Sequence, residues 1–217
     1  MKTLSVEART HGLVLVREAA ASPRGLLIGF HGYAENAEIQ MAQLETIPGV
    51  EDWTLVSVQG LNRFYRGRSQ EVVSSWMTRQ DRGAAIEDNI DYVDRVIAAT
   101  RAVNAPIVFA GFSQGVAMAF RAAVRGKVPG AGVISVGADV PPELLADASL
   151  RFPPTLLTRG EKDDWYTAAK MESDAAALTA RGTILQSLTY KGGHEWTAEV
   201  SAAARRFIRS LADGGAK

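Results

Sequence analysis

The run Pro106-Ile107-Val108-Phe109-Ala110-Gly111-Phe112-Ser113-Gln114-Gly115 constrains this chain more than any other stretch. Gly111 to Gly115 is a G-x-S-x-G match with Ser113 at its centre. A run rich in β-branched and aromatic residues precedes it, and a helix-like run, Val116 to Val124, follows. In that strand–turn–helix setting the motif marks a sharp turn that lifts a serine clear of a sheet. The turn needs glycines because its backbone is tight, and a Cβ beside the serine would clash. A serine hydroxyl is a weak nucleophile at neutral pH. It therefore also requires a base, and a group to orient that base.

Strand-like runs and helical patterns alternate along the chain. Leu13–Arg17, Gly25–Phe30, Trp53–Val58, Ile107–Phe112, Ala131–Val136, Pro154–Thr158 and Thr183–Thr189 read as strands. Glu35–Leu44, Ala84–Val103, Val116–Val124, Tyr166–Ala180 and Thr197–Leu211 read as helices; Ile86, Ile90, Val93 and Ile97 recur at helical spacing. Asp81 is placed to cap the second helix, and Ala180-Arg181-Gly182 reads as a helix C-terminus. Such alternation predicts an α/β fold with a mostly parallel central sheet and helices on both faces. A single domain over residues 1–217 is expected, with 213–217 as a frayed tail. Gly60 to Arg82 shows no clear periodicity and reads as a long functional loop.

Composition excludes several classes. Lys plus Arg and Asp plus Glu both number 24, so no global field would attract nucleic acid or an anionic membrane. No run approaches the roughly 18 apolar residues of a membrane span, and Met1 to Arg9 has no signal-like apolar segment. The absence of cysteine removes disulfides, thiolate metal sites and cysteine nucleophiles together. A cytoplasmic location is the default expectation.

The chain has three histidines. His11 precedes the first strand and reads as exposed. His31 ends a strand and reads as a buried structural residue. In hydrolases built on this turn the order along the chain is Ser, acid, His. Only His194, in Gly192-Gly193-His194-Glu195-Trp196, follows Ser113, so elimination selects it as the base. Asp163 follows an apolar strand through a Gly-x-x-Asp turn and is the leading acid, with Asp164 and Asp139 as alternatives. Oxyanion donors are expected from the backbone N–H of Gln114, after the nucleophile, and of Tyr33, in the loop after an early strand. Trp76, Trp165 and Trp196, with Tyr33, Tyr65 and Tyr166, suggest an aromatic-lined substrate pocket. Arg63, Arg66 and Arg68 could attract an anionic substrate group but read more simply as solvated charges.

These segments resemble the serine carboxylesterase, acyl-protein thioesterase and phospholipase-like group of small α/β-hydrolases. The matching pieces are Phe30-His31-Gly32, Gly111-Phe112-Ser113-Gln114-Gly115, Gly160-Glu161-Lys162-Asp163 and Gly193-His194. The resemblance implies an α/β-hydrolase fold without a large lid domain. It implies hydrolysis of carboxylic esters or thioesters without metal or organic cofactor, a triad of Ser113, Asp163 and His194, and a homodimer. Two segments depart from the family pattern. His31-Gly32-Tyr33-Ala34-Glu35 stands where thioesterase members carry His-Gly-Leu-Gly-Asp, and Asp164-Trp165 follows the acid in place of Val-Pro. The substrate expected is a small ester or thioester. The same triad would also serve an acyltransferase, and a binding protein of this fold that lacks catalysis is a further alternative.

Overall fold

The computed structural model describes residues 1–100 and 105–214, with only the backbone of 212–214. Nine strands run in chain order: β1 (Val14–Arg17), β2 (Leu26–Phe30), β3 (Thr54–Val58), β4 (Asn62–Tyr65), β5 (Val72–Ser75), β6 (Ile107–Phe112), β7 (Gly132–Val136), β8 (Thr155–Gly160) and β9 (Leu185–Tyr190). The helices are α1 (Ala37–Glu45), α2 (Arg82–Thr100), α3 (Gln114–Arg125), α4 (Pro142–Ala146), α5 (Ala168–Ala180) and α6 (Ala198–Gly214). Seven strands form one sheet in the order β1-β3-β2-β6-β7-β8-β9, and β4 and β5 form a separate hairpin. β1 lies antiparallel to β3, and every other pair in the large sheet is parallel.

Successive strand side chains point to opposite faces, and a parallel sheet covered on both faces has strands that are apolar throughout. All residues of β2, β3, β6 and β7 are buried. Leu26, Ile28 and Phe30 pack with Val93 and Ile97 of α2, Val116 and Phe120 of α3, and Leu178 of α5. Leu27, Leu55 and Val108 pack with Leu44 of α1 and with Val200, Ala204 and Phe207 of α6. Each of these Val, Leu, Ile and Phe side chains contributes about 1.5–3 kcal/mol by leaving water.

Local signals set the helix ends. Asn36 caps α1 by accepting the Ile39 N–H at 3.0 Å. α5 stops where Gly182 adopts φ 73° and donates to Thr179 O at 2.9 Å. α2 begins immediately after Asp81; its expected end at Val103 falls outside the described residues.

The sequence reading needs two corrections. Gly60–Arg82 is not one long loop: β4 and β5 pair within it. They escaped notice because Asn62-Arg63-Phe64-Tyr65 lies largely exposed and carries no apolar alternation. The short α4 spans barely more than a turn and was likewise not anticipated. α6 runs to Gly214; residues 215–217 lie outside the described residues. Among the described residues, no helix is long and apolar enough to cross a membrane.

Candidate active site

The candidate nucleophile, acid, base and oxyanion donors all follow the C-terminal ends of parallel strands. β6 ends at Phe112, and Ser113 turns the chain into α3 with φ 51° and ψ −122°. A non-glycine residue in such a conformation costs on the order of 1–3 kcal/mol and persists only where its surroundings enforce it. Here the Ser113 N–H donates to Val136 O at 2.9 Å, and Ser113 O accepts the Val116 N–H at 3.0 Å. A Cβ on Gly111 would sit 2.5 Å from Gly115 O, so the turn closes only because that side chain is missing.

The acid and base arrive from neighbouring strands. The pairing of β8 with β9 continues past both strands, with Glu161 N donating to Tyr190 O and Lys162 N to Gly192 O, each at 2.9 Å. Gly160 permits this, since a Cβ there would lie 2.2 Å from Gly193 O. The result sets Asp163 Oδ2 2.8 Å from His194 Nδ1. Asp163 Oδ1 accepts the Trp165 and Tyr166 N–H groups, each at 2.9 Å. Its side chain is fully buried. A carboxylate only accepts, so Nδ1 carries the imidazole proton and Nε2 is left as the basic nitrogen. The His194 ring packs on Phe112, next to Ser113, with centroids 5.0 Å apart. Gly137, at φ 74°, forms the floor beneath the pair; a Cβ there would lie 3.1 Å from His194 Nδ1 and 3.3 Å from Asp163 Oδ2. The alternative acids stand apart: Asp139 pairs with Lys170 at 3.1 Å, and Asp164 is exposed.

The loop His31-Gly32-Tyr33 is braced from outside by the β4–β5 hairpin. Burial holds the His31 pKa below its usual value. Its Nδ1 donates to Gly32 O at 2.6 Å, while Nε2 accepts the Gly60 N–H at 3.0 Å and Ser74 Oγ–H at 2.8 Å. Ala34 N donates to Ser74 O at 3.1 Å, and Ser74 N to Glu35 O at 2.8 Å. Ala34 takes φ 58°, a left-handed conformation that glycine adopts without strain. Trp76 donates from Nε1 to His31 O at 2.9 Å. The Trp76 backbone N–H donates to Gln114 Oε1 at 2.9 Å, and Gln114 Nε2 donates to Met77 O at 3.1 Å. Among the described residues, no protein group accepts the backbone N–H of Tyr33 or of Gln114.

The expected aromatic pocket does not form as one surface. Trp76 is fully buried against Phe30 and His31 and offers no face to a substrate. Tyr166 is equally buried and donates to Asp174 Oδ2 at 3.0 Å. Trp196 donates to Ser201 Oγ at 2.9 Å and packs against the core under α6. Trp165 is 76% exposed, and Tyr33, also exposed, rests on Phe64. Arg63 donates to His11 O, and Arg66 donates to Ala34 O and pairs with Glu71 at 3.3 Å, so both serve the fold. A cavity of about 530 Å³ between the strand N-termini and α6 lies at the other end of the sheet from Ser113. Among the described residues, no group of three His, Asp or Glu side chains could hold a metal ion. Glu35 and Gly137 border the site and were not anticipated; the only sequence signal for Gly137 is a glycine directly after a buried strand.

Known proteins share this fold. An acyl-protein thioesterase 2 from Zea mays superposes with a TM-score of 0.73 at 18% identity, covering 93% of this chain and 99% of that one. Esterase PE8 superposes at 0.76 with 22% identity, covering 93% and 100%. A carboxylesterase from Bacillus cereus superposes at 0.71 with 15% identity, covering 92% and 94%. At these identities the likeness establishes the α/β-hydrolase fold. No curated protein matches the chain in sequence. The phospholipase/carboxylesterase family model matches residues 11–212. With that match over nearly its whole length, the chain belongs to the phospholipase/carboxylesterase family.

Proposed function

We propose that this protein is a serine hydrolase that cleaves small carboxylic esters, thioesters included, through Ser113, His194 and Asp163. The observation that carries this reading is the 2.8 Å Asp163–His194 contact beside a serine held in a strained turn. His194 Nε2 removes the Ser113 hydroxyl proton as Oγ bonds to the substrate carbonyl carbon. Asp163 fixes the imidazole tautomer and stabilises the imidazolium. The Tyr33 and Gln114 N–H groups receive the developing oxyanion, each contributing about 3–4 kcal/mol to the transition state. The tetrahedral intermediate collapses, and the leaving alkoxide or thiolate takes the proton from His194. Water, activated by the same base, then hydrolyses the acyl-enzyme and restores Ser113.

Ser113 is half-buried, and the nearby Tyr33 and Trp165 are exposed. An open site of this kind accommodates varied short and medium acyl groups. Labelling with a fluorophosphonate probe, wild type beside Ser113→Ala, tests the reading. A phosphonyl adduct mapped to Ser113, with ester turnover reduced about 10⁵–10⁶-fold in the variant, is expected. A folded wild type that takes no adduct and turns over no ester overturns it. Asp163→Asn should lower kcat about 10⁴-fold, while Asp164→Asn and Asp139→Asn leave it within a few-fold.

A further inference from the structure

Glu35 has no part in the chemistry above, yet its carboxylate borders the nucleophile. Its Oε2 accepts the Gly32 N–H at 2.7 Å, and its own N–H donates back to Gly32 O at 3.3 Å. A Cβ built on Gly32 would lie 3.0 Å from Glu35 Oε2, 3.1 Å from Phe112 Cδ1 and 3.3 Å from Ser113 Cβ. The carboxylate, the Phe112 ring and the nucleophile thus crowd around one point. With the Gly32 amide engaged by Glu35, the next amide of the loop, that of Tyr33, is the one left to face a substrate oxygen.

Resting on the hydrolase reading, we propose that Glu35 is a positioning residue whose ionised carboxylate, by holding the Gly32 N–H, fixes the direction of the Tyr33 N–H that receives the oxyanion. A carboxylate accepts a hydrogen bond more strongly than a neutral carboxyl group does. Protonation of Glu35 therefore loosens the turn and misdirects the donor. The charged groups that face it are Arg66 on the hairpin and His194 in the β9–α6 loop. Arg66 is itself paired with Glu71. His31, at the start of the loop, is buried and favours its neutral form. Burial raises the Glu35 pKa above the ordinary glutamate value, and the Gly32 N–H, Arg66 and His194 counter that rise in part. Loss of the carboxylate thus falls on the acid limb of the rate profile.

The test compares Glu35→Ala, Glu35→Gln and Glu35→Asp with wild type. It reads kcat and KM per probe-reactive site across pH, and the Gly32 and Tyr33 amide resonances by NMR. Removal of an oxyanion donor costs about 10²–10³-fold in kcat, so misdirecting one should cost about tenfold. Glu35→Ala is expected to lower kcat by about that factor with KM within twofold, and Glu35→Asp to recover part of the loss. Glu35→Gln keeps an acceptor without the charge, so the acid limb of kcat should lose one ionisation. The Gly32 amide shift should titrate in wild type and stay flat in Glu35→Gln. A Glu35→Ala kcat per reactive site within twofold of wild type overturns the proposal, as does a Gly32 amide that titrates alike in wild type and Glu35→Gln. A merely structural role would lower Tm and leave kcat per reactive site and the pH profile unchanged. Failure of the hydrolase reading is recognised separately, by a wild type that takes no probe at Ser113, and the proposal falls with it.

Discussion

Trp76 and His31 are joined by a hydrogen bond of 2.9 Å from the indole N–H to the main-chain carbonyl. The backbone N–H of the same tryptophan holds the Gln114 side chain. One buried residue thus ties together the two segments that carry the candidate oxyanion donors. Trp76→Phe keeps the ring and removes only the indole donor. It should lower stability by about 1 kcal/mol and kcat by about tenfold, with KM within twofold, in steady-state kinetics on a short ester. An unchanged kcat would show that the two segments keep their places without the tie. Trp76→Ala should instead cost about 3–5 kcal/mol, because it opens a large cavity in the core.

Gly137 separates positioning of the acid–base pair from stability of the fold. Gly137→Ala puts a methyl group 3.0 Å from His194 Cε1 and forces alanine to φ 74°. The strain should cost about 1–2 kcal/mol, while displacement of His194 should lower kcat/KM by about 10²-fold. Circular dichroism melts beside probe-labelling rates check both. A variant that labels as fast as wild type would mean the pair moves aside freely.

His31 makes stability depend on pH. Burial depresses its folded-state pKa, while the unfolded chain titrates at about 6.5. Above that value both states are neutral at this residue and its contribution is fully present. As pH falls from about 6.5 through the folded-state value, only the unfolded state takes the proton, and stability falls by up to about 1.4 kcal/mol per pH unit. Urea midpoints between pH 8 and pH 5 should decline for wild type and less for His31→Gln. Parallel slopes would assign the acid sensitivity to other groups.

Arg121 is fully buried in α3 and donates from Nε to Glu143 Oε1 at 2.8 Å. Removing the acid leaves a buried guanidinium without its counter-charge. Glu143→Ala should cost on the order of 2 kcal/mol, and Arg121→Met in the same background should recover most of it. Denaturant melts of the single and double variants measure the difference. A double variant no more stable than Glu143→Ala would show that packing around the arginine, not its charge, is the larger effect.

The central sheet was legible because β2, β3, β6 and β7 are buried on both faces and so read as unbroken apolar runs. The positions of Ser113 and His194 were legible because the glycine-flanked turn and the order of histidines leave few choices. The hairpin was not, because β4 earns its place through backbone pairing and hydrogen bonds to a distant loop, which leave no hydrophobic period. For the same reason Trp76 read as a pocket residue: an indole in a polar stretch gives no sign that its N–H is committed to His31. Glu35 was invisible as a neighbour of Ser113 because β2 and β6 meet only in the folded sheet.

The hairpin and the tryptophan after it hold the loop from outside through the Ser74 carbonyl and amide and through the side chains of Ser74, Arg66 and Trp76. Tyr65 and Val72, on its outer surface, are exposed. Side chains there can be exchanged while the backbone that aligns Tyr33 and Gln114 keeps its register. The molecule therefore carries an outer strip that tolerates exchange one residue at a time, mechanically insulated from the residues proposed to make and break bonds.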